Sequence, residues 1–302
     1  RTHKPGVGGS NPPLATNIFF IKMLDPNLTI VINTFKSEDI IFSCLNTISS
    51  NFKVFVIENS NDIKIKKRLE QNYSNVECIL TGENLGYAKG NNLGISKVTT
   101  KYALVLNPDA KLETDTLNNF FSFTNKIKEF AIVGPAKQDE FNEKDSSENS
   151  ENVFETDSIK GFAMFLNLEQ FKNIGFFDPN FFIYLEEIDL CKRIKKYNKK
   201  IYLDKKIKIQ HLGGKSHNSS INFEMELSRN WHWMWSTFYF NKKHSGYIIS
   251  SIKISGKLFS AVLKTIYFSI IFNEKKRRIY FHRISGIINS MIGKSSWYRP
   301  KI

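Results

Sequence analysis

Between Leu28 and Leu106 the chain alternates short β-branched or aliphatic runs with longer stretches in which apolar residues recur every three or four positions. The runs Leu28–Thr34 (LTIVINT), 54–57 (VFVI), Val76–Leu80 (VECIL) and Tyr102–Leu106 (YALVL) read as buried strands. Residues 37–48 carry Ile40, Ile41, Cys44, Leu45 and Ile48 on one helical face, with Ser37 placed to cap the first turn. Residues 63–71 read as a charged helix, and 84–98 as a loop running into a third helix. Four strands thus alternate with three helices, which predicts an α/β fold with a mostly parallel central sheet and right-handed crossovers. Ligands in such sheets bind beyond the carboxyl ends of the strands. Thr34, Glu58, Asn84 and Asp109 all fall there.

The stretch from Asn84 to Asp109 carries the densest chemistry. Its glycines, amides and Lys89 suit the close approach of a phosphorylated ligand, and a strand then delivers Asp109 in the sequence Asn107-Pro108-Asp109. Asp109 reads either as a turn residue after proline or as a ligand for a hard divalent cation, which takes one or two carboxylates together with substrate phosphates. Further along, Glu186, Glu187 and Asp189 place three acids within four residues. They read either as first-turn acids suited to a helix dipole or as crowded carboxylates, one with its pKa raised toward the range of a general base. The aromatic residues before them, Phe176, Phe177, Phe181 and Phe182, suit the wall of a pocket. His211, in QHLGGKS, reads as structural or as a metal or phosphate partner.

Composition changes the picture mainly at the C-terminus. The 302 residues carry a net charge of +14, and from Lys242 onward there are thirteen Lys or Arg against the single acid Glu274. Within that tail, Lys253, Lys257 and Lys264, with Ser250 and Ser260, fall on one helical face of residues 247–272. Ile249, Ile252, Phe259, Val262, Leu263, Ile266 and Ile270 fall on the other. The pattern suits a helix lying in a membrane interface, with Lys275, Lys276, Arg277 and Arg278 drawn to anionic lipid. Packing on the body with a solvated basic face is the other reading. Trp231, Trp233, Trp235, Phe238, Tyr239 and Phe240 read as core or as an interfacial aromatic belt. A nucleic-acid partner, suggested by the charge alone, is disfavoured because the basic residues sit among amphipathic apolar ones and no nucleic-acid motif is present.

Three cysteines, Cys44, Cys78 and Cys191, lie far apart and argue against a disulfide frame or a thiolate zinc site. No run of 18 apolar residues suggests a membrane span. Residues 1–27 are expected to lie outside the fold, as disordered chain or as an extension ahead of a natural start at Met23. The stretch 137–158, with eight acids, reads as a flexible solvated loop or as a flap over an acceptor.

In order along the chain, these motifs resemble the family 2 glycosyltransferases of GT-A fold, and within them the bacterial rhamnosyltransferase-like branch. The resemblance rests on Thr34-Phe35, Glu58-Asn59-Ser60, NLGYAKGNNLGI, LNPDA, Gly134-Pro135, GFAMF from Gly161, GFFDPNFFIYLEEIDLCKRI, and His211 with GGKS. It implies a GT-A domain over 28–240, with a nucleotide-sugar half (28–136), the acidic loop (137–158) and an acceptor and catalytic half (159–240). A basic amphipathic tail (241–302) follows. The implied activity is inverting transfer of rhamnose or another hexose from a nucleotide diphosphate sugar to a saccharide or lipid-linked glycan, with Mg²⁺ or Mn²⁺. The implied location is the cytoplasmic face of the cell membrane.

Residue by residue, the resemblance implies that Thr34, Phe35 and Glu58 hold base and ribose. Asn84, Gly86, Lys89, Gly90 and Asn91 would line the diphosphate, with Asn107 at its edge. Asp109 and His211 would serve the metal. Glu187 would be the catalytic base, with Glu186 beside it as the alternative and Asp189 supporting. Three positions depart from the family pattern: Asn107, Glu58 and Glu187 each stand where the family has Asp. They keep open a catalytically inactive, membrane-bound scaffold of the same fold.

Overall fold

The computed structural model of the protein describes residues 27–136, 152–211 and 221–300. The expected N-terminal extension, most of the acidic loop and the GGKS segment lie outside them. Four strands fall where the pattern predicts: β1 (Leu28–Thr34), β2 (Lys53–Glu58), β3 (Val76–Leu80) and β4 (Tyr102–Leu106). They pair in parallel in the order β3-β2-β1-β4. Three helices cross between them: α1 (Glu38–Leu45), α2 (Ile63–Asn72) and α3 (Gly86–Ile95). Ser37 stands at the start of α1, but its hydroxyl donates to the Phe35 carbonyl instead of capping the helix. At α2, Asp62 does cap, accepting from Lys64 N and Ile65 N at 2.8 and 3.3 Å.

The sheet continues with strands of mixed direction. Alongside β4 lies β8 (Ala163–Asn167), followed by β6 (Ile132–Pro135), β9 (Ile201–Asp204) and β7 (Val153–Glu155). β8 is antiparallel to both β4 and β6, while β6 and β9 are parallel. Thus Leu106 faces Ala163, and the chain enters β8 at the edge where β4 leaves. This reversal brings the second half of the chain onto the carboxyl ends of the first. Residues 153–155 lie within the stretch expected to be loop, yet they form β7 against β9. Only three residues long, β7 leaves little periodicity for the sequence to show. Two short strands, β5 (Ala110–Leu112) and β10 (Ile209–His211), make a separate antiparallel pair that sets His211 opposite Ala110.

Alternation along the strands divides the core between the two sheet faces. Ile30, Ile32, Val54, Val56, Leu104 and Leu106 join Phe120 and Phe123 of α4 (Thr116–Lys126) on one face. Val31, Ile57 and Val105 join Leu190 and Ile194 of α5 (Glu186–Lys196) on the other. Each fully buried Leu, Ile, Val or Phe contributes about 1.5–3 kcal/mol.

Three long helices follow, α6 (Asn222–Ser245), α7 (Tyr247–Ile270) and α8 (Glu274–Met291). The expected domain boundary at residue 240 falls inside α6. Trp231, Trp235 and Phe238 are buried beneath α7, α8 and the C-terminal segment, so the core reading of the aromatic run holds for them. Their polar edges are bonded too, Trp231 Nε1 to Ser285 Oγ and Trp235 Nε1 to the Lys294 carbonyl. Trp233 alone of the three remains substantially exposed, at 41%. No helix of the described residues is long and apolar enough to cross a membrane.

Candidate active site

The parallel register aligns Thr34 with Glu58, while Leu106 of β4 lies opposite Ile32 of β1. Asn107, Pro108 and Asp109 follow at that same edge. Thr34 and Glu58, with Lys36, Ser37 and Ser60, line a cavity of about 80 Å³. Glu58 is buried, and its two oxygens accept from the Ser60 and Asp62 N–H groups at 2.9 and 2.7 Å. The carboxylate therefore holds the loop after β2 as well as facing the cavity. Two larger cavities, of about 740 and 690 Å³, touch neither Asp109 nor Glu187.

The Asn84 segment differs from the expected backbone cradle. The N–H of Leu85 donates to Asn59 Oδ1, that of Gly86 to Asn84 Oδ1, and that of Tyr87 to the Phe182 carbonyl. Three consecutive donors are thus satisfied inside the protein. The glycines answer to packing: Gly86 has φ +75° and a methyl there would lie 2.4 Å from Phe182, while one at Gly90 would lie 2.5 Å from Asn33 Oδ1. They let α3 lie against β1 and the Phe182 loop. Asn91 is fully buried, donating to the Tyr87 carbonyl with its Oδ1 unbonded among the described residues. Lys89 remains exposed. Arg299 adds a second cation here, from 215 residues away in sequence, with Nε donating to the Asn84 carbonyl at 3.1 Å and its guanidinium over Phe182.

Asp109 is 2% exposed, and its Oδ1 makes no hydrogen bond among the described residues. His211 Nε2 lies 3.3 Å away. The His211 ring stacks on Phe162 at 4.5 Å, and Asn107 N donates to the Phe162 carbonyl at 2.8 Å. A buried carboxylate oxygen without a hydrogen bond beside an imidazole fits a divalent cation. Among the described residues no group of three His, Cys, Asp or Glu is gathered to hold one. A cation here would take its remaining ligands from substrate phosphates and water.

Gly161, next to Phe162, connects this pair with the acids of α5. A methyl at Gly161 would sit 3.6 Å from Glu187 Cβ and 3.1 Å from the Tyr87 hydroxyl, which donates to the Gly161 carbonyl. Burial raises the pKa of Glu187. Burial, and then the charge of Glu187, raise that of Glu186 well above the carboxylate range. Each has an Oε2 with no hydrogen bond among the described residues. The Tyr87 phenol is likewise pushed up by burial and by these two acids. Tyr184 and Leu185, at φ 75° and 68°, turn the chain into α5.

Asp189 does not join the pair. It lies about 200° around the helix from Glu187. Its fully buried carboxylate meets Arg193 Nε at 2.8 Å, Lys243 Nζ at 2.7 Å and His244 Nε2 at 2.9 Å. It ties α5 to α6. Asp189→Ala leaves Arg193 and Lys243 facing an emptied buried site and is expected to destabilise the fold by about 3 kcal/mol. Denaturant unfolding measures this, and an unchanged midpoint would contradict it.

The sequence profile of glycosyl transferase family 2 matches residues 29–191. The low-salt glycan biosynthesis hexosyltransferase Agl10 of Haloferax volcanii is 26% identical over 199 residues, spanning 58% of this chain and 64% of that protein. A mannosyltransferase from Pyrobaculum calidifontis, solved with GDP-Man and Mn²⁺, superposes with a TM-score of 0.55 at 12% identity over 89% of this chain and 88% of its own. S. aureus TarS 1–349 superposes with a TM-score of 0.50 at 13% identity, covering 90% of this chain and 93% of that one. GalNAc-T7, solved with UDP, GalNAc and Mn²⁺, gives 0.51 at 12% identity over 61% of this chain and 42% of its own. These structures share the GT-A fold with this chain.

Proposed function

The chain belongs to glycosyl transferase family 2 and is a glycosyltransferase; on that premise we propose that it transfers rhamnose or another hexose, with inversion, from a nucleotide diphosphate sugar. The acceptor is a hydroxyl of a saccharide or lipid-linked glycan in cell-surface polysaccharide synthesis. The observation that carries the reading is the linkage of Asp109 and His211 to Glu187 through the consecutive residues Phe162 and Gly161. Two of the solved structures that it resembles hold Mn²⁺. In this chain Asp109 and His211 would hold Mg²⁺ or Mn²⁺, which when bound neutralises charge on the departing diphosphate.

The other roles fall to the protein's own groups. Thr34, Phe35 and Glu58 receive base and ribose, while Lys89 and Arg299 supply the cationic side chains for the diphosphate. Glu187, its basicity raised by burial, takes the proton of the acceptor hydroxyl. That oxygen bonds to the anomeric carbon as the bond from this carbon to the diphosphate oxygen breaks, so the configuration inverts. The charge of Glu187 in turn raises the pKa of its buried neighbour Glu186. Calorimetry with UDP, GDP and dTDP tests the donor half: at least one is expected to bind, more tightly with Mn²⁺ than with EDTA. Equal, absent binding of all three would contradict it.

The same reading places the protein on the cytoplasmic face of the membrane, held by residues 241–302. Ser250, Ile254 and Ala261 turn α7 inward, and Ser250 donates to the Phe238 carbonyl. The apolar stripe is left outside, with Ile252, Phe259, Ile266 and Ile270 all more than half exposed. Lys253, Lys257 and Lys264 are exposed elsewhere around the same helix, and exposed Lys275, Lys276 and Arg277 follow it. Charge complementarity selects an anionic lipid surface, each cation contributing about 1 kcal/mol. Because α8 covers Trp231, point changes are a better test than truncation. Phe259→Glu with Ile266→Glu is expected to abolish sedimentation with vesicles containing phosphatidylglycerol; unchanged sedimentation would refute it.

A further inference from the structure

One cluster beside the acid pair takes no part in the donor site. Tyr184, two residues before Glu186, sets its ring edge-on to Trp233 at 5.5 Å and 84°. Trp233 lies partly exposed on α6 between its buried neighbours Trp231 and Trp235. Arg229 precedes it by one helical turn on the same face and makes no hydrogen bond or ion pair among the described residues. The Lys257 ammonium of α7 stands 5.9 Å from the Trp233 ring centre. Burial pushes the Tyr184 phenol up to about 12, with Arg229 drawing it down and Glu186 pushing it up, so the ring is within electrostatic reach of both.

An exposed indole offers a flat, amphipathic surface to a pyranose ring. Two cations around it are superfluous for a neutral sugar, but they match a phosphate ester, which a guanidinium binds through paired N–H groups. We propose that Tyr184, Trp233, Arg229 and Lys257 form the acceptor subsite, and that the acceptor is a saccharide bearing a phosphate. Its sugar ring lies on Trp233 and its phosphate between Arg229 and Lys257. The assignment rests on the glycosyltransferase reading, because Glu187 must then meet the acceptor's hydroxyl.

The test is calorimetric titration of the full chain with farnesyl phosphate, glucose 1-phosphate and neutral octyl glucoside, beside a nucleoside diphosphate with Mn²⁺. A phosphate-bearing probe is expected to bind at least tenfold more tightly than octyl glucoside. Arg229→Gln and Lys257→Gln are each expected to weaken it at least tenfold, whereas Lys276→Gln, outside the cluster, changes it less than twofold. Nucleotide binding should be unaltered in all three variants, which also reports that they fold. Binding of farnesyl phosphate alone supports a lipid-linked acceptor, and equal binding of glucose 1-phosphate a soluble one. Indifference to Arg229→Gln and Lys257→Gln, or no preference for phosphate, overturns the subsite. Failure of the wild type to bind any nucleotide sinks the glycosyltransferase reading itself.

Discussion

Asp109→Ala is expected to lower turnover of the donor at least about 10³-fold and to remove its response to added Mg²⁺ or Mn²⁺. The estimate follows from losing charge stabilisation of the leaving group, typically worth about 10²–10³ in rate for one donor alone. Among the described residues Asp109 is the carboxylate paired with His211, so its loss leaves little to hold the cation. Stability should move the other way from activity. The Asp109 carboxylate is buried with Oδ1 lacking a hydrogen bond, so its removal relieves a desolvated charge. Thermal melting and initial rates across a Mn²⁺ titration separate the two roles. A turn residue would lose stability and keep its metal response; a metal ligand keeps stability and loses the response.

Glu187→Gln is expected to reduce turnover by about 10²–10⁴-fold, the usual contribution of a positioned general base. Glu186→Gln should cost far less. Burial raises the pKa of Glu187, so the acid limb of kcat/KM is expected above the range of an ordinary carboxylate, with activity lost as pH falls through the raised value. The stability sign is opposite. Below the ordinary carboxylate range both acids are neutral folded or unfolded; as pH rises, the unfolded chain ionises first and the fold loses stability until the raised folded pKa is passed. Glu186→Gln should therefore melt higher than wild type at neutral pH and show a flatter pH dependence. A lower Tm there, or full activity in Glu187→Gln, contradicts the assignment.

Much of this site was legible because local pattern carried it. Four β-branched or aliphatic runs predicted β1 to β4, and the rule that ligands meet strand ends placed Thr34, Glu58 and Asp109 on one edge. Glu186 and Glu187 stood out because acids rarely crowd without cause. What stayed hidden depends on contacts between distant residues. Arg299 reaches Asn84 across 215 positions, and no periodicity reports such a pairing. The Tyr87 hydroxyl meets the Gly161 carbonyl across 74 positions, a contact that the helical spacing around Tyr87 does not report. The glycines misled for a related reason: a glycine required for helix–sheet contact, as Gly90 against Asn33, reads in sequence like one that admits a phosphate. Asp189 was grouped with its neighbours by proximity in the chain, whereas helical geometry turned it toward Lys243 and His244. The tail's amphipathic pattern was clear, but which face it buries was decided by Ser250 and Ala261, small enough for close packing.

The central claim is that Asp109, His211 and Glu187 work together on an activated sugar. The most direct measurement incubates the purified chain with a panel of UDP-, GDP- and dTDP-hexoses and follows release of nucleoside diphosphate, with Mn²⁺ and with EDTA, alone and with membrane extract as acceptor source. The account predicts release from at least one donor, stimulated by the extract and abolished by EDTA. Release that persists unchanged in EDTA, or none from any donor with the extract present, would contradict it.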